Sequence, residues 1–307
     1  MAVYVVGHKS PDTDSVASAI AYAELKKAQG VDAVAAMQGE LNPESTMVLE
    51  KFGFAAPEIM TDATGKQIIL VDHSDLAQAP DNLKDGEVLE IIDHHKIGDV
   101  TTNNPIFYCA RPVGCTGTIL KQLYEMNNVD IPKNVAGIML AAILSDTVLF
   151  KSPTTTDADK AACEGLAAIA GVSDMEALAM EMFEAKSAVK GVPMKDLIFR
   201  DYKDFDMAGN KVGCGQLELV DISLVADMRD DLYKALQEVK DEGGRHSIFL
   251  MLTDIMKEGT DLMVITDDES IVEKAFGKKL EGRTVWIDGM MSRKKQTIPP
   301  LQKVFGA

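Results

Sequence analysis

Short continuous apolar runs alternate with longer stretches at helical spacing through the first part of the chain. Val3 to Val6 is an apolar run of strand length. Val16 to Gln29 is alanine-rich with apolar residues three and four apart and closes on Gly30, the residue type that ends helices, and Asp32 to Met37 reads as strand again. Gln67 to Val71 and Val88 to Ile92 are apolar runs apart from Gln67 and Glu90, as strands covered on both faces of a parallel sheet are. Helical spacing then returns from about Thr116 to Asn127, Pro132 to Leu144, Thr156 to Ala170 and Asp174 to Ser187. The order predicts an α/β fold with a doubly wound, mainly parallel sheet, in which ligands collect at the carboxyl ends of the strands.

The pattern changes after a Gly- and Pro-bearing stretch, Lys186-Ser187 through Gly191-Val192-Pro193. Leu197 to Phe205 and Lys211 to Leu219 flank Asp206-Met207-Ala208-Gly209-Asn210 and read as a β-hairpin. Leu224 to Lys240 reads as a helix, and Ser247 to Leu252, Asp261 to Thr266 and Thr284 to Ile287 as strands. We therefore expect a metal-binding domain over 1–187, a linker or hinge over 188–194 and a smaller C-terminal α/β domain over 195–307. No internal repeat or low-complexity tract interrupts this order.

Composition changes the picture chiefly through charge. Lys and Arg number 31 against 48 Asp and Glu, so the formal net charge is 31 − 48 = −17, which argues against a nucleic-acid partner. The excess is uneven: residues 1–185 hold 12 basic and 27 acidic side chains, residues 186–307 hold 19 and 21. The four cysteines form no C-x-x-C pair, as expected of thiols in a reducing compartment. The longest apolar stretch, Ala136 to Leu144, falls well short of the ~20 residues of a membrane span. A cytoplasmic protein with no membrane partner is expected.

Candidate chemistry sits where the strands end. His8-Lys9-Ser10-Pro11-Asp12-Thr13-Asp14 follows the first strand, Asp72-His73 the run from Gln67, and Asp93-His94-His95 the run from Val88. Ser145-Asp146-Thr147 ends the helix from Pro132. Singly each has an ordinary explanation: Asp14 as a helix N-cap, Asp72 as a turn residue, a histidine as a hydrogen-bonded core residue. Together, four of the five histidines and five aspartates fall on one rim of one sheet. Carboxylates and imidazoles without thiolate suit Mn²⁺, Co²⁺ or Mg²⁺, and so many carboxylates cannot all ionise side by side without cations between them. The leading reading is a dinuclear hydrolytic centre, in which two ions share a carboxylate and a water. In the second part, Ser292-Arg293-Lys294-Lys295-Gln296 is the densest basic run, readable either as a solvated face or as a phosphate clamp.

Metals on one domain and cations on the other describe an enzyme for a small polyanion. These motifs resemble the manganese-dependent, family II inorganic pyrophosphatases of the DHH phosphoesterase superfamily. The resemblance extends to Pro112-Val113-Gly114-Cys115-Thr116, Arg200-Asp201-Tyr202-Lys203 and Phe249 to Ile255, in family order from residue 7 to residue 296. It implies hydrolysis of pyrophosphate to two phosphates, with two Mn²⁺ or Co²⁺ ions and further Mg²⁺ arriving with the substrate. His8 and Asp12 would bind the first ion, Asp14, His94 and Asp146 the second, and Asp72 would bridge them. Asp93 would orient His94 or its neighbours. His95, Lys203, Arg293 and Lys294 would hold the phosphates, with His95 or a lysine delivering a proton to the leaving group. Lys295 would shape the local potential. The resemblance also implies closure of the second domain over the first and a homodimer joined through N-terminal domains. Two rival readings compete with this one: a DHH phosphodiesterase and a non-catalytic metal or phosphate sensor. The diesterase would use a Gly-rich histidine motif, for which Gly243-Gly244-Arg245-His246 reads instead as a helix-to-strand turn.

Overall fold

The computed structural model describes residues 2–306, which divide into two compact units, 2–185 and 186–306. The first unit runs β1 (Val3–Lys9), α1 (Thr13–Ala28), β2 (Ala33–Gln38), α2 (Pro43–Phe52), β3 (Glu58–Ile59), β4 (Gln67–Val71), β5 (Glu87–Asp93), β6 (Phe107–Ala110), α3 (Thr116–Met126), α4 (Lys133–Asp146), α5 (Asp157–Ala170) and α6 (Met175–Lys186). Its six strands are all parallel and ordered β3-β2-β1-β4-β5-β6. The order reverses between β1 and β4, and a crevice opens where the connections leave in opposite directions. The loops after β1, β4 and β5 are thereby brought to one end of the sheet. Val5, Val6, Ile69, Leu70 and Ile92 in these strands are fully or almost fully buried, which explains the largely apolar runs that carry them. α4 packs against α1, α2, α3 and α5 rather than on the sheet alone, and every residue from Val135 to Ser145 is buried. Gly137 lets the Phe52 ring lie against its backbone, where a Cβ would stand 2.1 Å from the ring.

The second unit continues with α7 (Met194–Phe199), β7 (Tyr202–Met207), β8 (Asn210–Leu219), α8 (Arg229–Glu242), β9 (Ser247–Asp254), β10 (Gly259–Thr266), α9 (Ser270–Phe276), β11 (Thr284–Asp288) and α10 (Ile298–Phe305). Its sheet is ordered β11-β10-β9-β8-β7 and is antiparallel except for the β8 and β9 pair, which α8 connects. β9 is buried on both faces. Ile248, Leu250 and Leu252 pack under α7 and α8, whereas Phe249 and Met251 pack with Ile271, Val272 and Leu301 of α9 and α10. Three expectations need correcting. Leu197 to Phe199 is the end of a helix that Pro193 starts, so the first hairpin strand begins only at Tyr202. The helix expected from Leu224 opens as a 3-10 turn over Ile222–Met228 and becomes α-helical at Arg229. The segment after β11, which had no expected element, forms a π-turn over Arg293–Thr297 and then α10. Gly243 to His246 is the turn between α8 and β9. Val189 is packed into the core of the second unit.

Candidate metal centre

His8 lies in the last turn of β1, Asp72 is the first residue after β4, Asp93 ends β5, and His94 and His95 follow it. Asp12 caps α1, its carboxylate accepting from the Ser15 amide at 2.9 Å, and Asp14 sits in the first turn of that helix. The capping role that the sequence offered to Asp14 therefore belongs to Asp12. Asp146 ends α4. The fold thus gathers His8, Asp12, Asp14, Asp72, His94, His95 and Asp146 from four separate stretches of chain.

The geometry around Asp72 organises the cluster. Its Oδ2 stands 3.3 Å from His8 Nε2, and that same nitrogen is 3.3 Å from Asp12 Oδ2. Its Oδ1 stands 3.3 Å from His94 Nε2, which is 3.8 Å from Asp146 Oδ2. One carboxylate therefore faces His8 through one oxygen and, through the other, His94 and His95, the latter at 3.5 Å. His8 Nδ1 bonds the Lys9 carbonyl at 2.8 Å and His94 Nδ1 the Val113 carbonyl at 3.0 Å. A histidine tied back through Nδ1 presents Nε2, the arrangement by which metal-ligating imidazoles are oriented. Asp72 Oδ2 is buried and accepts no hydrogen bond, and Asp72 itself holds a left-handed φ of 61°. A buried oxygen without a donor is costly, and such strain is retained where neighbours over-determine it. The donor set of hard carboxylate oxygens and imidazole nitrogens fits divalent cations of the Mn²⁺ class.

Without a cation the charges must settle among themselves. Burial and the neighbouring Asp72 carboxylate push Asp14 up to about 7. Burial opposes ionisation of His8 too, but Asp12 and Asp72 outweigh it and raise the imidazole well above its usual value. Asp72 goes the other way: burial is outweighed by the three imidazoles, which hold it well below the carboxylate range. Cys115, grouped with Asp14 and Asp146, is pushed well up by burial and by those carboxylates, so it stands as a thiol.

Around the cluster lies a further ring of groups, of which Ser18, Glu44 and Gly117 stood out in no sequence motif. Asp14 accepts from Ser18 Oγ at 2.7 Å, from the Thr116 amide at 2.7 Å and from the Gly117 amide at 3.2 Å, so the N-terminus of α3 holds this carboxylate. Thr116 Oγ1 donates to Asp72 Oδ1 at 3.2 Å. Glu44 of α2 is buried and accepts from Thr13 at 2.8 Å and from Ser145 at 2.9 Å, joining the neighbours of Asp12, Asp14 and Asp146. Asp93 bonds the backbone and ring of His95, at 2.9 and 3.0 Å, and Ser74; it orients His95, while Val113 orients His94. His73 is buried, bonds the Val71 carbonyl, and is pushed down to about 4 by that burial. After Asp146 the chain makes a left-handed turn at Val148, Leu149 and Phe150, each a non-glycine residue at positive φ. That costs roughly 1–2 kcal/mol per residue and is braced by the Ser152 amide donating to the Thr147 carbonyl at 2.8 Å.

In the second unit the basic run does not stay together. Arg293 is only 6% exposed, and its guanidinium donates to the Asp201 carbonyl and carboxylate, both at 2.6 Å, and to the Cys214 carbonyl. Burial opposes the ionised form of Asp201, but Arg293, Lys203 and Lys186 outweigh it and hold its carboxyl low. Lys203 of β7 pairs in register with Cys214, so Arg293 and Lys203 converge on one stretch of β8. Lys294 and Lys295 are exposed on the π-turn, whose start is stitched by Gln296 Oε1 accepting from the Met291 and Ser292 amides at 2.8 and 2.9 Å.

Comparison with known proteins agrees along the chain. Residues 2–143 match the model of the DHH family N-terminal domain and residues 180–304 that of the DHHA2 domain. A probable manganese-dependent inorganic pyrophosphatase of Archaeoglobus fulgidus is 56% identical, the alignment covering 99% of this chain and 98% of the relative. A manganese-dependent inorganic pyrophosphatase of Methanocaldococcus jannaschii is 47% identical over 98% and 99%. The crystal structure of a putative family II inorganic pyrophosphatase from Methanococcus jannaschii superposes with a TM-score of 0.88 at 46% identity, covering 99% of this chain and 100% of that one. With both domain models in order and relatives matched end to end, this chain belongs to the manganese-dependent, family II inorganic pyrophosphatases of the DHH family.

Proposed function

We propose that the chain hydrolyses inorganic pyrophosphate to two phosphates at a two-ion centre. The observation that carries this is the Asp72 carboxylate set between His8 and His94, one oxygen at 3.3 Å from each Nε2. His8 and Asp12 would hold one Mn²⁺, Asp14, His94 and Asp146 the other, and Asp72 would serve both; Co²⁺ suits the same donors. Four carboxylates at −4 match two divalent ions at +4. When bound, the ions lower the pKa of a water and neutralise phosphate oxygens. Everything else falls to side chains. Asp93 fixes the ring and backbone of His95, which binds a phosphate and passes a proton to the leaving group. Arg293, locked in orientation by Asp201, Lys203 beside it and the exposed Lys294 bind the phosphate oxygens, and Mg²⁺ accompanies the substrate.

The second unit closes over the first about 188–194 during turnover, and the enzyme is a homodimer joined through its first units, acting in the cytoplasm on a small anion rather than on nucleic acid. No helix among the described residues is long and apolar enough to cross a membrane. The test is to strip the protein with chelator, restore Mn²⁺, and compare phosphate release from pyrophosphate with hydrolysis of an aryl phosphodiester and a dinucleotide. Release from pyrophosphate alone is expected. Absence of release from pyrophosphate, or preference for either diester, overturns the reading.

A further inference from the structure

Asp159 is fully buried, is not among the cluster residues, and accepts four hydrogen bonds. Two come from Thr156, amide at 2.8 Å and hydroxyl at 2.7 Å, the amide bond being one half of the capping box that starts α5, whose other half is the Asp159 amide donating to the Thr156 side chain. The other two serve no cap. Gly114 N donates to Oδ2 at 2.9 Å and Thr118 Oγ1 to Oδ1 at 2.6 Å, from segments 45 and 41 residues away. The approach is close enough to require glycine: a Cβ on residue 114 would lie 2.9 Å from Asp159 Oδ2 and 2.8 Å from Thr147 Cγ2. Asp159 therefore fixes the segment 113–118 from behind.

The front of that segment faces one half of the cluster. The Val113 carbonyl orients His94, the Thr116 and Gly117 amides hold Asp14, and the Thr116 hydroxyl reaches Asp72 on Oδ1, the oxygen that faces His94. His8 and Asp12 are held elsewhere, by the Lys9 carbonyl and the Ser15 amide. We infer that Asp159 is a positioning residue for the ion held by Asp14, His94 and Asp146, and not for the ion held by His8 and Asp12. This rests on the two-ion reading above. A buried carboxylate accepting from two backbone amides and two hydroxyls fixes a loop more tightly than a single bond, and groups one shell behind a metal typically set its affinity by 10–100-fold.

The experiment is a Mn²⁺ titration of chelator-stripped full-length protein, followed by calorimetry and by the paramagnetic resonance of free Mn²⁺, with circular dichroism to establish folding. Asp159→Ala should raise the dissociation constant of one of the two ions by roughly 10–100-fold and leave the other unchanged. Gly114→Ala should weaken the same ion. Asp159→Asn, which keeps an oxygen for the Gly114 amide, should restore most of the affinity. Thr156→Ala cuts the capping box without touching Gly114; it should lower the unfolding midpoint and leave both Mn²⁺ affinities as they are. Combined with His8→Ala, Asp159→Ala should weaken the remaining ion; combined with His94→Ala, it should add little. Unchanged affinities in Asp159→Ala and Gly114→Ala, equal weakening of both ions, or a Thr156→Ala titration matching Asp159→Ala overturns the inference. Fewer than two Mn²⁺ in the unsubstituted protein overturns the two-ion reading itself, a separate and recognisable result. Should Asp159→Ala fail to fold, Asp159→Asn and Gly114→Ala carry the same comparison.

Discussion

The two units handle charge in opposite ways. The first collects carboxylates and imidazoles whose mutual distances, 3.3 to 3.8 Å, exceed good hydrogen bonds, and leaves Asp72 Oδ2 without a donor. The second satisfies its charges from within: Arg293 on Asp201, Arg245 on Asp204 through two bonds of 2.7 and 2.8 Å, Lys240 on Asp267 at 2.6 Å. An unsatisfied cluster asks for an external ion, whereas a satisfied cation is a preorganised one. A residual pull on substrate then comes from donors whose direction is fixed in advance. Under the proposed function, this difference would give ion binding to one unit and the orientation of phosphate to the other.

The most severe way to break the comparison is to remove the shared oxygen pair. Asp72→Ala should lose both ions and lower turnover by at least about 10³-fold, since losing even groups behind a metal costs 10–100-fold. Metal analysis of the variant as purified, alongside phosphate release, checks it. Two tightly bound Mn²⁺ in Asp72→Ala would show that no bridge exists there.

Under the proposed function, Arg293 depends on Asp201 to hold it. Arg293→Lys keeps the charge but not the two-pronged reach to the Asp201 carbonyl and carboxylate, and kcat/KM should fall by roughly 10²-fold. Asp201→Asn keeps the cation and loosens its holder, so the loss should be smaller, about tenfold. Steady-state kinetics on both variants decides the matter. An active Arg293→Lys enzyme with ordinary kcat/KM would reduce the site to generic positive charge.

Legibility in the sequence followed the same divide. The ligand-bearing motifs of the first unit stood out because single polar residues interrupt runs that the parallel sheet buries on both faces, as Asp72 does after Gln67–Val71. α2 was missed for a physical reason: part of its buried face is polar, with Glu44 and Ser45 inward beside Val48 and Leu49, so apolar periodicity is faint although Asn42, Pro43 and Gly53 mark its ends. The same polar face is what links Thr13 to Ser145, so functional coupling hid the helix. β6 is four residues long and lies at the sheet edge with Phe107 and Tyr108 exposed, which removes the buried run that revealed its neighbours. Leu197-Ile198-Phe199 was ambiguous, because three apolar residues fit strand and helix alike. The basic run was legible as charge but not as shape. That Arg293 turns inward while Lys294 and Lys295 stay out depends on Asp201, Cys214 and Gln296, three residues that no local pattern connects to it.

A smaller effect tests whether pairing within the second unit stabilises it. Asp204 is held below the usual carboxylate range: partial burial opposes this, but the bonds from Arg245 and Tyr202 prevail. A depressed folded-state value means that the stabilisation is complete above the unfolded value of about 3.9 and disappears as pH falls through the folded one. Asp204 is 33% exposed, so solvent screens the pair and Asp204→Asn should cost about 1 kcal/mol or less at pH 6. Denaturant unfolding of metal-free protein at pH 6 and pH 3 should show the difference between the two proteins shrinking at the lower pH. A difference independent of pH would mean that charge plays no part in that contact.

The finest distinction lies inside the basic run itself. Lys295 is exposed on the π-turn, so its attraction for an anion crosses water and decays within about 10 Å at 0.1 M salt. Arg293 is buried and anchored, so under the proposed function it would act at contact through a region that salt barely penetrates. Lys295→Ala should therefore raise KM for pyrophosphate by about twofold at low ionic strength, with kcat unchanged, and the effect should fade as salt approaches 0.5 M. The loss in Arg293→Lys should persist across the same range. Measuring both variants in one salt series separates steering from holding. If the Lys295→Ala effect survives high salt, Lys295 binds phosphate at contact, and the turn presents two holding cations rather than one.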